Sequence, residues 1–407
     1  MAVKLGIDRL LEDRALRAKL RGRRVALLGH PASVTSGLTH ALDALVACGD
    51  LNVVGAFGPQ HGMRGEKQDN MVESADYVDP VHGVPVWSLY GATRRPTDAM
   101  LDALDVILVD LQDLGCRIYT FATTLRYVLE DAGRRGKAVW VLDRPNPAGR
   151  PIEGLRLRPG WESFVGAGTM PMRHGLTLGE LARWFVRSGG IDVELEVVAV
   201  HGWDPHAAPG FGWPIGQLSW VNPSPNASGL SMARCYAGTV LVEGTELSEG
   251  RGTTRPLELV GAPDLDPRAL LAEMFRLAPE WLRGCRLRAC WFEPTFHKHA
   301  RKLCAGVQIH VDDPGYKHDV FRPYRLVALL LKAYRRLRPE TPLWRDFEYE
   351  YERDRRAIDV INGSPLLRAW VDDPAARPVD LDRLLAPDEE SWREERKPLL
   401  LYAPYRA

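Results

Sequence analysis

Four polar groups in this chain are dense enough to do chemistry. The first is GPQHGMRGEKQDNMVES, beginning at Gly58. Glycines on either side of Gln60 and His61 permit backbone conformations closed to other residues and let a ligand come close, while Arg64, Glu66, Asp69 and Glu73 supply charge. The second, DLQDLGCRIYTF, presents Asp110, Gln112, Asp113, Arg117 and Tyr119. The third, VNPSPNAS, carries Asn222, Ser224, Asn226 and Ser228 on a loop stiffened by two prolines. Its short amides and hydroxyls can pair with sugar hydroxyls in both senses. The fourth, LVEGTELSEGRGTTRP, sets Glu243, Glu246, Glu249 and Arg251 among glycines, a composition suited to a carbohydrate or a carboxylate. In PMRHG, Arg173 and His174 stand just before a helix, a seat for a ligand carboxylate.

Each group also has a plainer reading. The first is a solvated loop with a satisfied histidine. In the second, Asp110 and Asp113 cap the helix that follows. The third is an Asn-Pro turn run and the fourth a bulged turn.

Other templates fail. There is no GxxxxGK[ST] and no GxGxxG after a strand, so no nucleotide cofactor is indicated and none is expected. There is no GxSxG elbow and no HExxH, and no cysteine sits in a recognisable nucleophile context. His297, Lys298 and His299 resemble a metal cluster, but no carboxylate at helical spacing completes one, so structural roles are expected and no metal.

The elements that must position these groups alternate. RVALLGHP, LNVVGAFGP, DVILVDLQD and KAVWVLDRP read as buried strands. Residues 39–48, 97–104 and 119–135 carry apolar side chains at helical spacing between them. A mostly parallel, Rossmann-like sheet with crossover helices is the natural solution. Every one of the four strands runs into polar or turn residues, at His30, Gln60, Asp110 to Asp113 and Asp143 to Asn146. Ligands of open parallel sheets bind outside the carboxyl ends of the strands, so these exits converge on one edge. A helix over 176–188, opened by a Thr177–Glu180 capping box, and a strand over 194–203 complete this part.

A stretch dense in Gly, Pro, Asn and Ser, 207–229, marks a boundary, giving domains of 1–220 and 221–407. Beyond it, strands are expected around 286–292 and 305–311 and a helix over 323–337. The charged tail reads as a helical flank with little chemistry.

At 407 residues the chain is long enough for two cores, and 45% apolar with 26% charged residues is a globular balance. A formal net charge of +0 gives no field to hold a polyanion or an anionic membrane, so neither nucleic acid nor membrane is an expected partner. The six cysteines have no metal or redox spacing and are expected to be free and mostly buried. No secretory signal and no spanning run is recognisable, so the chain reads as cytoplasmic.

Taken in order, GPQHGMRG, PVWSLYG, DLQDLGCRIYTF, VLDRPNP, FVGAGTMPMRHGLTLGELA, NPSPN, EGTELSEGRGTT and KHARKLCAGVQIHV resemble the bacterial exo-β-N-acetylmuramidase family, from about Arg24 to the end. The resemblance implies a Rossmann-like N-terminal domain, a smaller α/β C-terminal domain and a cleft between them. It also implies a hydrolase releasing N-acetylmuramic acid from the non-reducing end of peptidoglycan fragments, of muropeptide or MurNAc–GlcNAc type. His61, Arg64, Asp110, Gln112, Asp113, Arg117, Tyr119, Asn146, Arg173, His174, Asn222, Ser224, Asn226, Glu243, Arg251 and Thr253 fall on family motif positions.

One position departs. Family members carry glutamate in a GPEHG segment where this chain has Gln60, which cannot shuttle a proton. Glycoside hydrolysis usually needs two carboxylates, although the substrate's own acetamido oxygen can replace one as nucleophile. Asp110 and Asp113 are therefore the expected acid/base pair, with Glu243 or Glu249 in reserve. Arg173 or Arg251 is expected to meet the lactyl carboxylate, and Gln60 to hold the acetamido group. A non-catalytic sugar binder or sensor, or a glycan-modifying transferase with the same cleft, are the rival readings.

Overall fold

A computed structural model describes residues 2–65, 67 and 71–402. Glu66 and Asp69 of the first polar group lie outside the described residues.

The N-terminal half is built on seven strands. They are β1 (Arg24–Gly29), β2 (Asn52–Gly58), β3 (Tyr77–Val78), β4 (Pro85–Ser88), β5 (Val106–Asp110), β6 (Ala138–Leu142) and β9 (Leu195–Val198), in the spatial order β3-β4-β2-β1-β5-β6-β9. All pairings are parallel except β3 with β4. The period-2 alternation of strands sorts side chains into two cores. Ala26, Leu28, Ile107, Val109, Val139 and Val141 enter one, with the helices Phe121–Arg134 and Leu178–Gly189. Val25, Leu27, Val106, Leu108, Ala138 and Trp140 enter the other, with Gly6–Glu12 and Ala41–Ala47. Both faces are covered, which is why these strands read as continuous apolar runs. The expected capping box is present: Thr177 Oγ1 accepts from Glu180 N at 3.2 Å and Glu180 Oε2 accepts from Thr177 N at 2.9 Å.

Two short strands, β7 (Glu153–Arg156) and β8 (Pro171–Arg173), pair antiparallel beside this sheet. The C-terminal half carries an antiparallel sheet of β10 (Leu259–Ala262), β12 (Cys304–His310) and β11 (Arg286–Phe292), in that order. Against it packs Pro267–Leu277, and the almost wholly buried helix Pro323–Leu337 packs in turn on that helix and on Leu230–Thr239. Residues 378–396 of the tail are helical, and Trp392 buries its ring and donates to His174 O at 2.8 Å. All six cysteines are free, four of them buried. No helix of the described residues is long and apolar enough to cross a membrane.

The two halves are tied by buried polar groups. Glu153 accepts from the backbone N–H groups of Tyr324 and Arg325, at 3.0 and 2.9 Å, placing a carboxylate on the N-terminus of the 323–337 helix. Arg117 donates to Leu155 O and Met170 O, and to Ile361 O and Asn362 O at the C-terminal end of the Ala357–Asn362 helix.

Candidate active site

At the carboxyl edge of the parallel sheet lies a polar pocket with an empty volume of about 470 Å³. Its walls come from both halves. Gln60 and His61 follow β2; Ile118, Tyr119 and Thr120 follow β5; Ser224 and Asn226 lie on the proline-stiffened loop. Glu243 and Arg251 come from the glycine-rich fourth group, and Tyr349 and Glu350 from the stretch between the 323–337 and 357–362 helices.

The turn after β2 is forced by packing. A Cβ at Gly58 would lie 2.7 Å from Met63 N, so only glycine lets the loop fold back. His61 then adopts φ 71°, and across the pocket Glu350 adopts φ 47° and Tyr351 φ 70°. Left-handed backbone at a non-glycine residue costs about 1–2 kcal/mol, so the surroundings must over-determine both turns.

They do so around Glu350. Its Oε1 accepts from Gln60 Nε2 at 3.1 Å and its Oε2 from the Tyr90 hydroxyl at 2.8 Å. Gln60 is itself oriented, because Thr120 Oγ1 donates to its Oε1 at 2.8 Å. Arg94 lies between the rings of Tyr90 and Tyr351, 4.0 and 4.6 Å from their centroids, and pairs with Glu73. Burial, assisted by the neighbouring Glu243 charge, raises the Glu350 pKa above the ordinary carboxylate value against the pull of its donors.

Glu243 sits in a different setting. Arg251 Nη2 donates to it at 2.5 Å and the Tyr349 hydroxyl at 2.8 Å. Arg251 reaches Glu249 at 3.1 Å, and Glu249 meets Lys298 at 2.7 Å and His297 at 3.4 Å. Burial pushes the Glu249 carboxyl up, but Lys298, Arg251 and His297 together hold it below its ordinary range. Lys298 Nζ also donates to Val242 O and Thr245 O, fixing the segment that carries Glu243. His299 contacts Glu246 O at 2.7 Å. Among the described residues no group of three or more His, Cys, Asp or Glu side chains could hold a metal ion.

The remaining expected residues stand elsewhere. Asp110 is fully buried in a two-point pair with Arg144, at 2.5 and 2.9 Å, and does not line the pocket. Asp113 accepts from Gly115 N at 2.5 Å and lies 3.5 Å from His174. It stands behind the wall, where its charge adds to the burial that raises the Tyr119 hydroxyl pKa. Glu249 supports the pocket through Arg251 without lining it. The two aspartates were drawn together by spacing, but strand geometry commits both to local bonds at the sheet edge.

Gln112 donates to Asp113 O and Pro145 O, and Asn146 to Gly149 O and Leu176 O, so both stitch strand exits together. Arg117 and Arg173 are fully buried among carbonyls; burial pulls the Arg117 pKa down to about 10. His174 Nδ1 accepts from Leu176 N. Arg64 pairs with Asp79 beside a separate hollow that includes Pro31, His40 and Met63. Asn222 is exposed, and the Thr253 hydroxyl donates to Gly250 O at 2.6 Å. Of the two arginines expected at a lactyl carboxylate, Arg251 alone lines the pocket.

Sequence reasoning missed Tyr90, Thr120, Tyr349 and Glu350. In FEYEYERD, aromatic and acidic residues alternate as in an exposed strand; the backbone instead turns between Tyr349 and Glu352 and carries Glu350 inward. The tail expected to have little chemistry thus supplies a pocket carboxylate. The interleaving of tyrosine with glutamate was the available signal.

Known proteins resemble this chain over most of its length. The model of the N-terminal part of the exo-beta-N-acetylmuramidase NamZ family matches residues 25–231, and that of the C-terminal part matches 234–402. The chain is 40% identical over 348 residues to the peptidoglycan beta-N-acetylmuramidase NamZ of Bacillus subtilis, covering 85% of this chain and 80% of that protein. Two DUF1343 family proteins of Bacteroides fragilis with crystal structures are similar in fold. One has a TM-score of 0.85 at 28% identity, covering 99% of each chain. The other has a TM-score of 0.73 at 24% identity over 100% of each chain.

Proposed function

Since the chain belongs to the exo-β-N-acetylmuramidase NamZ family, we propose that its pocket receives the terminal N-acetylmuramic acid of a peptidoglycan fragment and that the bond beyond C1 is hydrolysed there. The protein is an exo-acting glycoside hydrolase. The observation that carries the assignment of its site is the pairing of Glu243 and Glu350 in one small polar pocket. Two carboxylates lining a single polar pocket are what glycoside hydrolysis usually employs.

Each wall has a task in this reading. Ser224, Asn226 and His61 meet sugar hydroxyls and the acetamido group. Glu243, held by Arg251 and the Tyr349 hydroxyl, places negative charge beside the ring as positive charge develops there. Arg251 is the cation nearest to hand for the lactyl carboxylate. Ile118, Val165, Met232 and Leu257 supply apolar floor that excludes water and strengthens these charges. The substrates are muropeptide or MurNAc–GlcNAc fragments and the compartment is the cytoplasm, which six unpaired cysteines support.

Incubation with MurNAc–GlcNAc in buffer alone, followed by mass spectrometry, tests this. Free N-acetylmuramic acid and N-acetylglucosamine are expected. Binding without products would mean a sensor, and products only with an added acceptor sugar would mean a transferase.

A further inference from the structure

The two pocket carboxylates are not equivalent. Glu243 is held by a guanidinium, whereas the hydrogen-bond partners of Glu350 are an amide and a hydroxyl, both neutral. Gln60, an amide, has no titratable proton to give. With its Oε1 accepting from Thr120, its NH₂ is turned toward Glu350 and pins that carboxyl in place. The left-handed turn at Glu350 and the Arg94 clamp on Tyr90 and Tyr351 hold the side chain against the pocket from the other side.

We propose that Glu350 is the acid that protonates the leaving oxygen of the glycosidic bond, and that Gln60, Tyr90 and Arg94 are positioning residues for it. This rests on the pocket being the muramidase site. In the step, the Glu350 carboxyl proton passes to the glycosidic oxygen as the C1–O bond breaks, its electron pair staying with that oxygen. A water oxygen then bonds to C1 and a water proton returns to the Glu350 carboxylate. The net change is addition of one water across the bond. Burial and the Glu243 charge, which both favour the protonated form, suit Glu350 to this duty.

The test compares two substrates on one protein. MurNAc–GlcNAc has a poor leaving group that needs a proton, whereas 4-nitrophenyl N-acetylmuraminide has one that leaves without it. Loss of a general acid typically costs about 10²- to 10⁴-fold, so Glu350→Gln should lose that much kcat/KM, which reports the bond-breaking step, on the disaccharide and less than about tenfold on the aryl glycoside. Equal losses on both substrates, or none on either, overturn the assignment. Failure of the unsubstituted protein to hydrolyse either substrate removes the muramidase reading and this assignment with it.

If Glu350→Gln does not fold, Tyr90→Phe decides. The groups around Glu350 are Gln60, Tyr90, Arg94, Glu243, Tyr349 and Tyr351. Of these, the Tyr90 hydroxyl donates directly to the carboxylate and favours its ionised form. Without it the basic limb of kcat against pH moves to higher pH. An unmoved limb overturns the proposal.

Discussion

Gln60 Nε2 donates to Glu350 Oε1 at 3.1 Å, joining residues 290 positions apart in the chain. The bond closes the pocket between the loop after β2 and the segment following the 323–337 helix. It also ties the chemistry to the docking of the two halves, since neither half alone brings both carboxylates and the amide together.

Replacing Gln60 by glutamate would set two carboxyl groups against one another. Like charges at such a distance cannot both ionise, so the pair shares a proton and one apparent pKa rises. Gln60→Glu is expected to shift the basic limb of the pH–rate profile upward by about one unit or more. A profile unchanged from that of the parent protein would show that the amide and Glu350 are not coupled in solution.

Asp113→Asn separates two accounts of the acid. Asparagine retains an acceptor for Gly115 N–H, the bond Asp113 makes. Hydrolysis of MurNAc–GlcNAc is therefore expected within about tenfold of the parent rate, short of the roughly 10²-fold or greater loss that removing an acid brings. Abolished turnover with intact sugar binding would return the acid to the strand-exit aspartates.

Arg117→Leu leaves Leu155, Met170, Ile361 and Asn362 with buried carbonyls lacking this donor. An expected loss of about 3 kcal/mol follows from the cost of unsatisfied buried groups. Urea unfolding gives the stability, and steady-state kinetics on the folded fraction should give an unchanged KM. A raised KM with undiminished stability would make Arg117 a ligand contact.

Asp143 ties β6 to the helix at 178–189. It accepts from Thr177 Oγ1 at 2.7 Å, Gly179 N at 2.8 Å and the Tyr402 hydroxyl at 2.6 Å, and burial raises its pKa to about 6. The folded state therefore binds this proton more tightly than the unfolded chain. The resulting stability is full below about pH 4 and is lost as pH rises through about 6. Asp143→Asn should remove up to about 3 kcal/mol of the change in unfolding free energy between pH 4 and pH 7, as measured by denaturant titration. An undiminished pH dependence would assign it to other groups.

The parallel sheet was legible because its strands are buried on both faces and so appear as unbroken apolar runs such as VILV at 106–109. The strand exits were legible in part: the loop after β2 and the chain beyond β5 line the pocket, whereas His30, Asp110 to Asp113 and Asp143 to Asn146 do not. Roles were harder. Asp110 and Asp113 stand at a strand exit as a catalytic pair would, yet Arg144 and Gly115 take them up, and only three-dimensional proximity reveals those partners. Glu350 was hidden for the opposite reason. Its turn needs left-handed backbone at Glu350 and Tyr351, which no glycine announces, and the contacts that enforce it come from Tyr90 and Gln60 far away. Strand β4 and the pair β7 and β8 were likewise too short to stand out.

A crystal structure with N-acetylmuramic acid bound tests the central claim most directly. The account predicts the sugar between Gln60, Asn226, Glu243 and Glu350, with its anomeric oxygen within about 2.6–3.2 Å of a Glu350 carboxyl oxygen. A sugar seated elsewhere, or one whose anomeric oxygen faces Asp110 or Asp113 instead, would contradict it.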